Sequence, residues 1–195
     1  MQDARIRKTK QKLYQGLSEM LKEKTFEEMT VTDICKKANV TRITFYSYYT
    51  DKYSFLHEVM GDIAEKIRAC YMDKQKALNP EDDPRKSCHN ILNAILDFQE
   101  SQEGIIAVLG DDNPYLTFSY YWRIVRETGQ KSQPYFNKLG LLYPEGMSSI
   151  FTITGLVSYI RRQIELGKSI SQIREPANNL LDKIIDSGVF TKKEL

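Results

Sequence analysis

Within the seven positions 42–48, Arg42, Ile43, Thr44, Tyr46, Ser47 and Tyr48 bring together a guanidinium, hydroxyls, phenols and one bare alkyl group. That mixture suits the edges of stacked base pairs: a guanidinium donates to guanine or phosphate, a branched alkyl chain touches a thymine methyl, and a threonine hydroxyl meets either kind of edge. Phenols suit phosphates. No comparable set points to catalysis. Cys88 and His89 are the only adjacent thiol and imidazole, and neighbours on a helix point about 100° apart, too far round to act as nucleophile and base. A structural or surface role is left to them. The chain has no glycine-rich phosphate loop, no GxSxG and no paired carboxylates in an inferable cleft, so nothing specific supports an enzyme.

The elements that must position these residues lie on either side of them. Thr30 and Asp33 have the spacing of a capping box, which starts a helix near Val31. Val31, Ile34, Cys35 and Ala38 give that helix one buried face, and Asn39 can adopt the left-handed conformation that ends it. Thr41 then caps a second helix, whose Phe45 and Tyr49 lie one turn apart and face inward with Val40 nearby. Turning from that inward pair puts Ile43, Thr44 and Ser47 outward, flanked by Arg42, Tyr46 and Tyr48. Two short helices and a tight turn pointed at a DNA groove are expected, with Thr30, Thr41 and the basic Lys10 completing the contact set.

The pattern Thr30, Val31, Ile34, Cys35, Ala38, Asn39, Val40, Thr41, Thr44, Phe45, Tyr46, Tyr49, Lys52 and Phe55 resembles the N-terminal signature of the TetR family of bacterial transcriptional regulators. Asn39 stands where that signature has a turn glycine, Cys35 where it has alanine, and Tyr49 where it has phenylalanine. The resemblance implies a recognition helix meeting DNA through Arg42, Ile43, Thr44, Tyr46, Ser47 and Tyr48. It also implies that Lys52, opening the next helix, binds phosphate.

Composition fits this reading. With 195 residues, 41% hydrophobic and 28% charged, and only 10 Gly and 6 Pro, the chain suits an all-α globular protein. An N-terminal three-helix helix-turn-helix unit (1–50) followed by a C-terminal helical bundle (51–195) is expected. The formal charge is only +2, so DNA contact requires local clustering. Residues 1–12 provide it, with Arg5, Arg7, Lys8, Lys10 and Lys12 against Asp3 alone. Three cysteines with no CxxC pair and two histidines argue against disulfides, a metal site or a bound cofactor, and fit a reducing cytoplasm. No apolar run is long enough for a membrane span, and the charged start lacks the apolar core of a signal peptide.

Hydrophobic periodicity predicts a first helix over 3–24, a fourth over 52–76, a fifth over 85–101, and further helices near 115–128, 145–167 and 175–187. The fourth, running from Lys52 into the bundle, is the natural lever between the two halves. The helix over 145–167 is apolar on nearly all sides, which predicts burial all round, with Gly155 permitting close approach of another backbone.

By the resemblance, the last two helices form a four-helix bundle in a homodimer, here through Ile153, Val157, Ile160, Leu181 and Ile184. A small-molecule effector is expected among Tyr115, Phe118, Tyr121, Trp122 and Phe151. The whole reads as a dimeric repressor of an inverted-repeat operator on double-stranded DNA, released by that effector. The alternative is a DNA-binding scaffold whose bundle docks a protein partner.

Overall fold

The computed structural model of the chain describes residues 2–101 and 147–188, which form seven helices and no strand. They are α1 (Gln2–Met20), α2 (Val31–Lys37), α3 (Arg42–Tyr46), α4 (Lys52–Leu78), α5 (Pro84–Ser101), α6 (Met147–Glu165) and α7 (Ile170–Asp186). The expected helix at 115–128 lies outside the described residues. The chain divides into two compact units, and the division falls inside α4, between Ile63 and Ala64, three turns beyond the boundary expected at residue 51.

In the first unit, Leu13 and Leu17 of α1, Met29 of the linker, Ile34 of α2, Phe45 of α3 and Phe55 of α4 are all but completely buried. Each such side chain contributes about 1.5–3 kcal/mol by leaving water. Phe45, Tyr49 and Phe55 form a ring cluster with centroids 5.0–5.7 Å apart, which fixes α3 against the start of α4. Helix α1 crosses α2 at Gly16. A Cβ there would lie 2.9 Å from both the Cβ and the backbone nitrogen of Ala38, so only a glycine lets the two backbones approach this closely.

In the second unit, α7 packs against both α5 and α6. The shared core is Cys88, Leu92 and Leu96 of α5, Leu156 and Ile160 of α6, and Ile173, Ala177 and Leu181 of α7. Beside it runs a polar ladder in which each helix contributes every fourth residue. Arg85 binds Asp182 at 2.7 Å and also Asp186. His89 places its two ring nitrogens 2.6 Å from Asn178 and 2.9 Å from Asp182. Asn93 meets Asn178 at 3.1 Å, and Arg174 meets Asp97 at 2.8 Å. A second polar knot ties the end of α4 to α5: the buried Asn79 amide donates to Ser87 Oγ at 2.9 Å, and Asn90 donates to Gln75 at 2.6 Å. Buried polar groups need such partners, and these satisfy one another across the connection.

Two expectations are corrected here. Helix α6 is not buried all round: Phe151, Gly155, Ser158 and Arg162 form an exposed stripe, and Gly155 has open space where a close neighbour was expected. Helix α7 begins five residues earlier than periodicity suggested. Ser169 accepts from the Gln172 N–H while the Gln172 side chain accepts from the Ser169 N–H, a capping box that starts the helix ahead of Pro176.

Gly16→Ala should lower thermal stability, because the clash with Ala38 costs about 1–3 kcal/mol and outweighs the gain in helix propensity. Gly61→Ala, in the open middle of α4, should leave stability unchanged or raise it by up to about 1 kcal/mol. Paired denaturant titrations check both, and equal effects would show that the α1–α2 crossing is not limiting.

Candidate nucleic-acid interface

The reading head is built from caps. Asp33 N–H donates to Thr30 Oγ1 at 3.2 Å, and Thr30 N–H donates to the Asp33 carboxylate at 2.9 Å, closing the capping box of α2. Lys24 Nζ reaches the same carboxylate at 2.8 Å. That ammonium contact first, then the Thr30 hydrogen bonds, hold the Asp33 carboxyl well below its ordinary range. Helix α2 ends in a Schellman turn: Asn39 has φ 51°, its N–H donates to Lys36 O, and Val40 N–H donates to Cys35 O at 2.9 Å. Asn39 thus occupies the left-handed position expected of it. Thr41 then caps α3 by accepting from Thr44 N–H.

Helix α3 is short, and it turns Phe45 inward while Arg42, Ile43, Tyr46 and Ser47 face water. Ile43 is 85% exposed. The Arg42 guanidinium lies 5.8 Å from the Tyr46 ring centroid. Several hydroxyls are already committed: Thr41 and Thr44 Oγ1 are 2.9 Å apart, and Ser47 Oγ donates to Thr44 O. What remains open on this face is one guanidinium, one alkyl chain and the phenols of Tyr46 and Tyr48.

Two of the expected phosphate-binding lysines have other work. Lys52 Nζ donates to three backbone carbonyls, Phe26 at 3.0 Å, Glu27 at 2.8 Å and Met29 at 3.1 Å, and its side chain is only 16% exposed. Three donors meet three acceptors, which leaves none for a phosphate in this geometry. Lys10 Nζ lies 2.8 Å from Glu58, and the Tyr49 hydroxyl donates to the same carboxylate at 2.8 Å. Burial and then that hydrogen bond raise the Tyr49 phenol well above its ordinary range. Glu58 therefore joins α1, the residue just past α3, and α4, a junction that sequence spacing could not show.

Residues 13–59 match the family model described as bacterial regulatory proteins, tetR family. The N-terminal helix-turn-helix is thus similar to the DNA-binding domain of that family. The uncharacterized HTH-type transcriptional regulator YxbF of Bacillus subtilis (strain 168) is 32% identical over 59 residues, a match covering 30% of this chain and 16% of that one. A Syntrophomonas wolfei regulator assigned to the TetR family has a similar fold, with a TM-score of 0.75 at 13% identity, covering 92% of this chain and 96% of that one. The TetR-like regulator LfrR of Mycobacterium smegmatis, solved with proflavine, has a TM-score of 0.52 at 15% identity and covers 95% of this chain and 99% of its own.

The other expected sites fare differently. Tyr115, Phe118, Tyr121 and Trp122 lie outside the described residues, and Phe151 is 67% exposed. A small apolar cavity of about 20 Å³ does open in the second unit, lined by Cys88, Ile91, Leu92, Ile95, Thr152, Ile153, Leu156, Val157 and Leu181. Burial pushes the Cys88 thiol up to about 12, so it lines that cavity as a neutral group. Ile153, Ile160 and Leu181, expected at a dimer interface, are buried within the protomer's own second unit. Only Val157 and Ile184 of that set remain partly exposed. Among the described residues, no helix is long and apolar enough to cross a membrane.

The Asp33 cap makes a pH prediction. A carboxyl whose folded value is depressed stabilises the fold above its unfolded value, about 3.9, and that contribution disappears as pH falls below it. Urea midpoints should therefore drop between about pH 4 and pH 2. In Asp33→Asn the fall should be shallower, and parallel curves for the two proteins would rule out Asp33 as a source of acid lability.

Proposed function

We propose that the chain is a sequence-specific repressor that binds an inverted-repeat operator as a homodimer and is released by a small, largely apolar effector. The supporting observation is the outward face of α3, where Arg42, Ile43 and Tyr46 stand free of the core on a helix fixed by a cap at one end and an aromatic cluster at the other. Such a face fits a major groove: Arg42 addresses guanine and Ile43 a thymine methyl. Two-fold protein symmetry would place two such helices about 34 Å apart, matching half-sites one DNA turn apart. The proflavine complex of LfrR supports the effector, whereas the apolar cavity among α5, α6 and α7, at about 20 Å³, would have to widen to admit one.

The dimer surface is drawn here from the exposed stripe of α6, Phe151, Gly155 and Ser158, with the half-exposed Leu180 and Ile184 of α7. Phe151→Glu should give a folded monomer in sedimentation. Leu181→Asp, placing a charge in the protomer core, should instead unfold the second unit. A dimer persisting in the first variant would exclude this surface.

Operator sequences are obtained by selection from random duplexes. Arg42→Ala should relax preference at one position per half-site, by roughly 1–3 kcal/mol. Replacing one thymine per half-site by deoxyuridine, which lacks only the methyl, should weaken the wild-type protein and leave Ile43→Ala indifferent. Failure to select any inverted repeat would overturn the reading.

A further inference from the structure

Arg42 and Tyr46 lie one turn apart on α3, and the guanidinium carbon of Arg42 sits 5.8 Å from the centroid of the Tyr46 ring. A ring face attracts a cation over such a distance. The Tyr46 ring is itself placed from within: it meets the Phe45 ring edge to face, with centroids 5.6 Å apart and planes at 87°. Phe45 is wholly buried and packs in turn on Phe55 and Tyr49. A line of contact therefore runs from the core of the first unit through two aromatic rings to a guanidinium in water.

Other cations of the same unit are held differently. Lys10, Lys24 and Lys37 each meet a carboxylate, and Lys52 meets three carbonyls. Arg42 has neither an ion pair nor a hydrogen bond among the described residues, and a ring face offers it no hydrogen-bond acceptor. Its N–H donors are thus uncommitted while the swing of its long side chain is restricted. An exposed arginine gives up rotamer freedom on meeting a base, and one already held near the helix gives up less. The Tyr46 hydroxyl has no hydrogen-bond partner among the described residues, so ring and hydroxyl can act separately.

We infer that Tyr46 is a positioning residue for base recognition. Its ring holds the Arg42 guanidinium, so the preference at the base pair met by Arg42 depends on the ring of residue 46 and not on its hydroxyl. This rests on the operator-binding reading above. The other role open to Tyr46, a phosphate contact through the hydroxyl, would act on every sequence alike.

The test uses the full chain with two duplexes, the selected operator and the same operator with the Arg42-dependent base pair replaced in both half-sites. The ratio of the two affinities is the readout. Tyr46→Leu removes the ring and Tyr46→Phe only the hydroxyl, with Tyr46→Met as a second ringless variant and melting curves as the control for folding. The ratio should fall about two- to five-fold per half-site in Tyr46→Leu and keep its wild-type value in Tyr46→Phe. In an Arg42→Ala background, Tyr46→Leu should not change it further. A wild-type ratio in both ringless variants would overturn the positioning role. So would an equal fall in Tyr46→Phe, which would assign the effect to the hydroxyl, and so would a further fall on top of Arg42→Ala, which would make Tyr46 a reader itself. A wild type that selects no operator would overturn the operator-binding reading, whereas an operator read through Arg42 but indifferent to the ring would overturn the positioning alone.

Discussion

One ammonium group holds the reading head together. Lys52 is nearly withdrawn from water, and a charge in that position requires polar partners to offset lost hydration. It finds them in the carbonyls of residues 26, 27 and 29, just before the Thr30 cap of α2. The Phe26 ring adds a face 5.0 Å from the ammonium. The first residue of α4 thereby fixes where α2 begins. Less than two turns further on, Glu58 takes hold of α1 through Lys10 and of the segment after α3 through Tyr49. Every part of the helix-turn-helix is thus fastened to α4, which explains why the first compact unit includes the opening turns of that helix.

The opening turns of α4 are held at more than one point. A lever attached at one point would let the recognition helix wobble. Here α4 is attached to the linker at residue 52, to the aromatic cluster at 55 and to two helices at 58. Within the first unit, these three attachments fix α1, α2 and α3 to the opening turns of α4.

Local signals were legible in the sequence and distant partnerships were not. Thr30 with Asp33, Asn39 and Thr41 each act within three or four residues, and each occupies the cap or turn that its chemistry suggested. Periodicity also found the buried stripes, since a repeat of 3.6 reports which side of a helix faces inward. It does not report which element lies opposite. Ile160 and Leu181, expected at a partner subunit, instead close the core of their own unit, and Ile153 lines the cavity beside it. Lys52, expected at a phosphate by the resemblance, and Lys10, expected there from its basic run, have partners about 25 and 48 residues away, beyond the reach of local spacing. Gly16 passed unremarked because only the crossing with Ala38 makes it necessary. The Ser169–Gln172 box lies ahead of the apolar stripe of α7, so periodicity alone does not reach it, and the helix tolerates Pro176 in its second turn.

The polar ladder between α5 and α7 constrains motion in the second unit. Its rungs repeat every four residues on both helices, so one turn is the smallest slip that could re-form them. A slip of one turn in one direction would set His89 against Arg174 and Arg85 against Asn178, whereas in the other Arg85 would still face Asp186, His89 Asp182 and Asp97 Arg174. The ladder therefore opposes sliding in the first direction only, while peeling from one end breaks one rung at a time. Hinging is the motion of this helix pair that breaks the fewest rungs at once.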